Sequence, residues 1–362
     1  MSLNSVAGSR TNRLPVIFYL ENLAAPRTGT EPDDAIISNF VKEGYLVAEL
    51  DFAGRTNARV PFINRDLGKL RDDIRYNKFL TNYKLDDAHI FIVPEGDRLK
   101  RDILYFNDSD RPLHLDVIYP SQPKHPASAL IEFSCDNVNR MGNASLSICS
   151  DTILDAESTE GFAVCMADHP AAPPYKGLDP MPDCAFRIKA AVRTLRAQEK
   201  ELPLNGKIAP IGFSRGSGMA LMLVTTMGMK EFEGQGENQN VRSDVQGAVV
   251  MSGRFTYLDL LPNDHMIPRY NIAWGPRTNH FEFWKREGAM DYLAGPTLPL
   301  FLSINCTEGP DAQLQMTDLR KRLAELGSDE IFMMDREPRG HKVPLAPEIL
   351  GCMNDYLHRQ LN

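Results

Sequence analysis

The sequence predicts an α/β fold: a mainly parallel sheet with helices on both faces. Three observations carry that expectation. The apolar run Ile208–Ile211 meets Gly212-Phe-Ser-Arg-Gly216, and a second apolar run, Met219–Val224, follows at once, which reads as strand, sharp turn and helix. Strand-like and helix-like segments alternate along most of the chain, the order of a parallel sheet. The 362 residues, 43% hydrophobic and 24% charged, have the composition of a globular chain holding one large domain or a domain with a sizeable addition.

Taken in order, Pro15 to Leu20 reads as a buried strand ending in Glu21-Asn22. Asp33 to Lys42 has helical spacing, with Ala35, Ile36, Phe40 and Val41 on one side, and Glu43-Gly-Tyr-Leu-Val-Ala-Glu-Leu-Asp51 reads as the next strand. The same order recurs in Ala129–Phe133, a helix-like stretch around Asp151–Ala156, and Glu160-Gly-Phe-Ala-Val-Cys-Met-Ala-Asp168. The shared Glu-Gly-aromatic and terminal Asp fit either a duplication or the common punctuation of α/β chains. Between the two passages, Asn64–Lys84 predicts a helix with Leu67, Leu70, Ile74 and Tyr76 as its apolar side. Ala88–Val93, Arg101–Phe106 and Leu113–Tyr119 predict strands, with a turn at Glu95-Gly-Asp97, and the Pro-rich Tyr119–Pro126 predicts an exposed connection. Asp183–Gln198 has strong helical periodicity. Beyond the elbow, Glu231–Asn240 reads as a mobile surface loop, rich in Gly, Glu, Gln and Asn. Val245–Met251, Pro299–Asn305 and Glu330–Met334 predict buried strands, and Met316–Leu326 and Pro347–Leu361 predict helices.

The turn Gly212-Phe-Ser-Arg-Gly216 has the composition that an exposed nucleophile requires. A serine at the tip of a strand-to-helix turn adopts a strained backbone, small neighbours let the chains pass, and the helix N-terminus beneath it favours developing negative charge. Ser214 is therefore the candidate nucleophile. Its hydroxyl is weak at neutral pH and needs a base within hydrogen-bond reach. Among eight histidines, His341 alone follows a strand and an Arg339-Gly340 turn and precedes a terminal helix.

Other classes are disfavoured. A net charge of −8 and a pI near 5.6, with no basic cluster interleaved with aromatics, argue against nucleic acid. No apolar run approaches the roughly 20 residues of a membrane span. Six scattered cysteines without a C-x-x-C pair form neither a disulfide framework nor a zinc site, so no metal or cofactor is expected. The start lacks the features of a signal peptide, three glycosylation triplets (at Asn107, Asn143 and Asn305) are common by chance, and the compartment stays open.

From about residue 96 onward the chain resembles the α/β-hydrolase superfamily, near its acetyl-esterase and lipase branch. The residues that carry the resemblance are Gly212-Phe-Ser-Arg-Gly216, Cys306-Thr-Glu308 after a later strand, and Gly340-His341 before the last helix. It covers roughly three quarters of the chain, as 96–362, and leaves 1–95 as an N-terminal α/β extension or half-repeat. The chain order serine, acid, histidine is that of the superfamily. The resemblance implies Glu308 as the acid that orients His341, with Asp311 in the same loop as the alternative and Asp259 as a further one. Gly309-Pro310 stands where the family has Asp-Pro. The resemblance also implies an oxyanion hole from the backbone N–H groups of Cys135 and Arg215, although Ser134-Cys-Asp-Asn137 replaces the family's glycine-rich loop. It implies that Arg254–Pro296 is a cap insertion whose Trp274, Trp284 and His280 line a substrate pocket. The expected activity is hydrolysis of small carboxylic esters, with acetyl esters of carbohydrates as one class, and the expected partner is a small-molecule ester. A serine peptidase, or a binding protein that kept the fold and lost turnover, are the alternatives.

Overall fold

The four strands that follow the middle of the chain all run the same way, and this places their carboxyl ends side by side. The structure, a computed structural model, describes residues 2–4, 14–21, 32–51, 85–107, 112–133, 161–168, 181–343 and 346–362. The predicted helices at 64–84 and 151–156 and the loop 134–137 lie outside the described residues.

The main sheet contains β5 (Asp97–Phe106), β6 (Leu113–Pro120), β7 (Ala127–Phe133), β8 (Ala163–Ala167), β9 (Leu204–Phe213), β10 (Ala248–Met251), β11 (Leu300–Asn305) and β12 (Glu330–Asp335). Their spatial order is β12-β11-β10-β9-β7-β8-β6-β5. The six strands from β12 to β8 are parallel, and β6 and β5 continue the edge antiparallel. β7, β8, β10 and β11 are buried along their whole length, as near-continuous apolar runs in a covered parallel sheet should be.

The covering helices are α2 (Asp183–Ala197), α3 (Arg215–Thr225) and α6 (Pro310–Glu325) on one face and α7 (Pro347–Leu361) on the other. The division shows in the core. Ile188, Val192, Leu221, Leu223, Leu319 and Leu323 belong to one apolar cluster with Ile131, Val250 and Leu302. Ile349, Met353 and Leu357 belong to another with Leu130, Val249 and Phe301, the alternate residues of the same strands. α6 begins at Pro310, six residues before the apolar positions at which its start is expected, because proline is favoured in a first turn that needs no N–H partner.

The N-terminal strands β1 (Ser2–Asn4), β2 (Leu14–Glu21), β3 (Leu46–Asp51) and β4 (Leu85–Pro94), with helix α1 (Asp33–Lys42), form a second sheet of order β1-β3-β2-β4. Its topology repeats part of the main sheet. β1 is antiparallel to β3 as β6 is to β8, and the parallel set β3-β2-β4 has the order of β8-β7-β9. The registers match as well: Leu46, directly after Glu43-Gly-Tyr45, pairs with Val16, and Ala163, directly after Glu160-Gly-Phe162, pairs with Ala129. Val16–Leu20 and Leu46–Ala48 share a single apolar cluster with the α7 face of the main sheet.

The stretch 231–240 departs from the expectation of a mobile loop. Glu233 accepts hydrogen bonds from Lys189 Nζ (3.0 Å) and Arg193 Nη1 (2.9 Å), and from the Ser243 hydroxyl, while Arg193 also reaches the Gln235 carbonyl. Arg196 binds the carbonyls of Arg242 and Asp244. Lys189 and Arg193 thus fasten a segment whose composition alone reads as loose, and Arg196 on the same helix holds the residues just after it. Burial lowers the pKa of Lys189, and the nearby Glu233 carboxylate works against that shift. Glu233→Ala leaves the fully buried Lys189 ammonium without its carboxylate, and should cost on the order of 2–4 kcal/mol of stability, since half of a buried pair is left uncompensated. A urea unfolding midpoint unchanged from wild type would contradict this.

Candidate active site

Each of the strands β9, β10, β11 and β12 delivers one polar residue just past its carboxyl end. Ser214 follows β9 at the start of α3, with φ 57° and ψ −120°, a conformation rare for any side-chain-bearing residue. The turn closes so tightly that a Cβ on Gly212 would lie 2.1 Å from the Gly216 carbonyl oxygen, and one on Gly216 would lie 2.6 Å from that of Phe133. Both positions therefore require glycine.

The Ser214 Oγ lies 3.0 Å from Nε2 of His341, and His341 Nδ1 lies 2.9 Å from Oε2 of Glu308. An ionised carboxylate can only accept, so Nδ1 carries the proton and Nε2 is left to accept from the serine hydroxyl. The imidazole packs on the Phe213 ring, 4.7 Å between centroids and tilted by 32°. Ser252, after β10, donates its hydroxyl to Glu308 Oε2 at 2.6 Å, and the Gly309 N–H donates to Oε1 at 2.9 Å. The Ser252 carbonyl in turn accepts the Ser214 N–H at 2.7 Å. Burial pushes the Glu308 pKa up, but the hydrogen bonds from His341, Ser252 and Gly309 outweigh it and hold the carboxyl below its ordinary range.

Of the expected acids, the structure brings Glu308 to His341 and not Asp311. Asp311 faces Arg254 at 3.8 Å and His265 at 4.0 Å, and Asp259 is exposed. The backbone N–H of Arg215 opens α3, beside Ser214, whereas Cys135 lies outside the described residues. The segment 254–296 forms two short helices, α4 (Ile267–Trp274) and α5 (Phe281–Glu287), and a 3-10 turn at 289–292. Trp274 lines the cleft. Trp284 does not form wall: it is buried behind Trp274, edge-on at 5.4 Å, with its indole N–H on the Gly275 carbonyl. His280 is exposed at the start of α5 and is no part of the lining, because that end of the helix points to solvent.

Sequence reasoning missed Ser252 and Asn305. Asn305 is fully buried at the end of β11, so the triplet Asn305-Cys-Thr307 is a brace and not an acceptor for glycan. Its Oδ1 accepts from Thr307 N, Thr307 Oγ1 and Arg339 N, its Nδ2 donates to the Glu337 carbonyl, and the Thr307 hydroxyl accepts the Gly340 N–H at 3.0 Å. These bonds stitch the loop of Glu308 to the loop of His341. A polar side chain closing a buried strand was the only available signal.

The cleft has a volume of about 590 Å³ and takes in Ser214, Glu308 and His341. One part of its wall is apolar, from Met181, Cys184, Met219, Met222 and Ala289; the other, from the segment 254–296, holds Arg254, Tyr257, Arg269 and Tyr270. Cys306 and Cys352 are free thiols, and no helix among the described residues is long and apolar enough to cross a membrane.

No protein-family model matches the chain, and no curated protein is similar to it in sequence. Solved structures are similar in fold. A truncated carbohydrate esterase from gut microbiota superposes with a TM-score of 0.60 at 19% identity, over 72% of this chain and 95% of that one. Esterase 2 of the planctomycete Thermogutta terrifontis superposes with a TM-score of 0.54 at 16% identity, over 74% and 94%. The same esterase phosphoramylated by tabun gives a TM-score of 0.54 at 14% identity, over 73% and 95%.

Glu308 has a depressed pKa in the folded chain, so its contribution to stability is full above the unfolded-state value and fades as pH falls through the folded one. The difference in unfolding free energy between wild type and Glu308→Gln should accordingly be largest near pH 7 and shrink in acid. A difference that stays constant from pH 7 down to pH 3 would contradict the assignment of Glu308 as the ionised partner.

Proposed function

We propose that the chain is a serine hydrolase of carboxylic esters, built on an α/β-hydrolase fold. The observation that carries this reading is the unbroken relay of 3.0 Å and 2.9 Å from the Ser214 hydroxyl through His341 to Glu308 at the mouth of a cleft. The fold likeness to esterases supports it.

In this reading Ser214 Oγ forms a bond to the acyl carbon while its proton passes to His341 Nε2. The carbonyl oxygen, now negative, lies against the Arg215 N–H at the positive end of α3, with the Cys135 N–H as the second donor that the resemblance implies. Collapse of the tetrahedral species breaks the bond to the alcohol oxygen, which leaves with the proton from His341. Water then repeats the sequence on the acyl-enzyme and releases the acid. Glu308 holds the imidazole tautomer and stabilises its cation, and Ser252 and Gly309 keep that carboxylate ionised and aimed. The apolar part of the cleft, lined by Met181, Met219 and Met222, suits an acyl group such as acetyl, and carbohydrate acetyl esters fit the class.

With p-nitrophenyl acetate as substrate, Ser214→Ala and His341→Ala should each lower kcat by roughly 10⁶ if chemistry limits turnover, and the double variant should be little worse than either. Glu308→Gln should lose about 10⁴ and Asp311→Asn far less. Independent, additive losses at Ser214 and His341, or a collapse in Asp311→Asn alone, would overturn the reading.

A further inference from the structure

Among the polar side chains that line the cleft, Tyr270 on α4 is fixed in place and yet leaves its hydroxyl unused. The residue is only 3% exposed. Its ring stacks on Trp274, one helical turn further along α4, with 4.8 Å between centroids and 5° between planes. Tyr257 and Trp284 meet it edge-on, at 5.1 Å and 5.8 Å, so aromatic neighbours hold the ring on three sides. The helix that carries it is tied to the end of β10. The fully buried Asp264 side chain accepts the Met266 N–H at 2.8 Å and takes Arg254 by Nε at 3.0 Å and Nη2 at 2.8 Å.

The hydroxyl at the end of this ring makes no hydrogen bond among the described residues. It is not sealed in the interior either, as the neighbouring Trp274 indole N–H is. The little surface that Tyr270 keeps therefore belongs to the cleft it lines. Phenylalanine would make the same stack without a polar atom to desolvate. A largely buried hydroxyl with no protein partner costs stability, so it calls for an oxygen that reaches it from the cleft. Burial pushes its pKa up to about 12, so it keeps its proton at neutral pH and can donate. With the acyl group on the apolar wall of Met181, Met219 and Met222, the wall that holds Tyr270 is left to the alcohol part of an ester.

We infer that Tyr270 is a specificity-determining residue whose hydroxyl donates a hydrogen bond to an ether or hydroxyl oxygen on the alcohol part of the substrate, which is thus an ester of an oxygen-bearing alcohol, a polyol or sugar. This deepens the ester-hydrolase reading and rests on it. A donor held by a packed ring loses little freedom when it binds, so more of the hydrogen bond appears as selectivity. An alcohol part without that oxygen leaves the hydroxyl unpaired in a largely buried place, which is the stronger half of the discrimination.

The test compares the acetates of tetrahydropyran-3-ol and tetrahydropyran-4-ol with cyclohexyl acetate, which has a methylene in place of the ring oxygen, in wild type and in Tyr270→Phe. Acetate release gives kcat/KM, and the nonenzymatic hydrolysis rates serve as the correction for leaving-group reactivity. The ratio of at least one oxygen-bearing ester to cyclohexyl acetate should fall on the order of 10-fold in Tyr270→Phe, the worth of one well-placed hydrogen bond. Because each variant is judged by the ratio of its own substrates, a general loss of activity does not imitate the result. A ratio that Tyr270→Phe leaves unchanged overturns the inference and leaves ester hydrolysis standing. That holds whether both rates fall together, as loss of an oxyanion donor or of packing would make them, or neither falls, as for a hydroxyl that only water serves. A fall seen only with the oxygen on the acyl side, in 4-nitrophenyl methoxyacetate against 4-nitrophenyl butyrate, overturns the placement. Turnover of 4-nitrophenyl acetate but of none of the cyclic alkyl acetates overturns the inference alone. Turnover of no ester overturns the ester-hydrolase reading and the inference with it.

Discussion

A closed circuit of hydrogen bonds across four strand ends is the constraint on which the rest of the site depends. Ser214 reaches His341, His341 reaches Glu308, Glu308 receives Ser252, and the Ser252 carbonyl returns to the Ser214 N–H. Each member leaves the carboxyl end of a different strand, and the strands are neighbours in the order β12-β11-β10-β9. Parallel pairing spaces adjacent strands about 4.8 Å apart, so polar side chains at successive ends come within reach without long loops. Such a crevice beyond the carboxyl ends is where open α/β sheets bind ligands. Two residues of the circuit, Ser214 and Ser252, have positive φ, at 57° and 43°. Strain of about 1–3 kcal/mol at each is tolerable because the surrounding packing over-determines the turn.

The circuit is held from below and from the side. β9, β10 and β11 are buried through their carboxyl halves, and apolar clusters on both faces keep their ends in register. Asn305 and Thr307 tie the acid loop to the histidine loop, so that the distance between Glu308 and His341 does not rest on one hydrogen bond alone. The segment 254–296 is anchored in the same way. Gln315 on α6 accepts the N–H groups of both Phe255 and Thr256, and the aromatic cluster of Tyr270, Trp274 and Trp284 gives this segment a small core of its own.

Much of this was legible in the sequence wherever local chemistry decides the outcome. Proline, glycine and apolar periodicity mark α1, α2 and α7, and the elbow composition marks Ser214, because only a strained turn needs glycine on both sides of a serine. Glu308 and His341 were legible as candidates through chain order and resemblance, with Glu308 preferred to Asp311, although which carboxylate the loop turns inward is decided only by the fold. Ser252 and Asn305 carried only the weak signal of a polar residue closing a buried strand, which is ordinary until its partners arrive from distant parts of the chain. The loop 231–240 was misread for the same reason: its composition is loose, and what fastens it is Lys189 and Arg193 on a helix some forty residues earlier. His280 and Trp284 were grouped with Trp274 by composition, and only the fold separates the wall of the cleft from what lies behind and outside it.

The central claim is that Ser214 is the residue made nucleophilic by this circuit, and intact-protein mass spectrometry after exposure to a fluorophosphonate tests it most directly. The account predicts a single phosphonyl adduct, mapped by peptide analysis to Ser214 and absent from Ser214→Ala at unchanged circular dichroism. An unlabelled wild type, or an adduct that persists in Ser214→Ala, would contradict it.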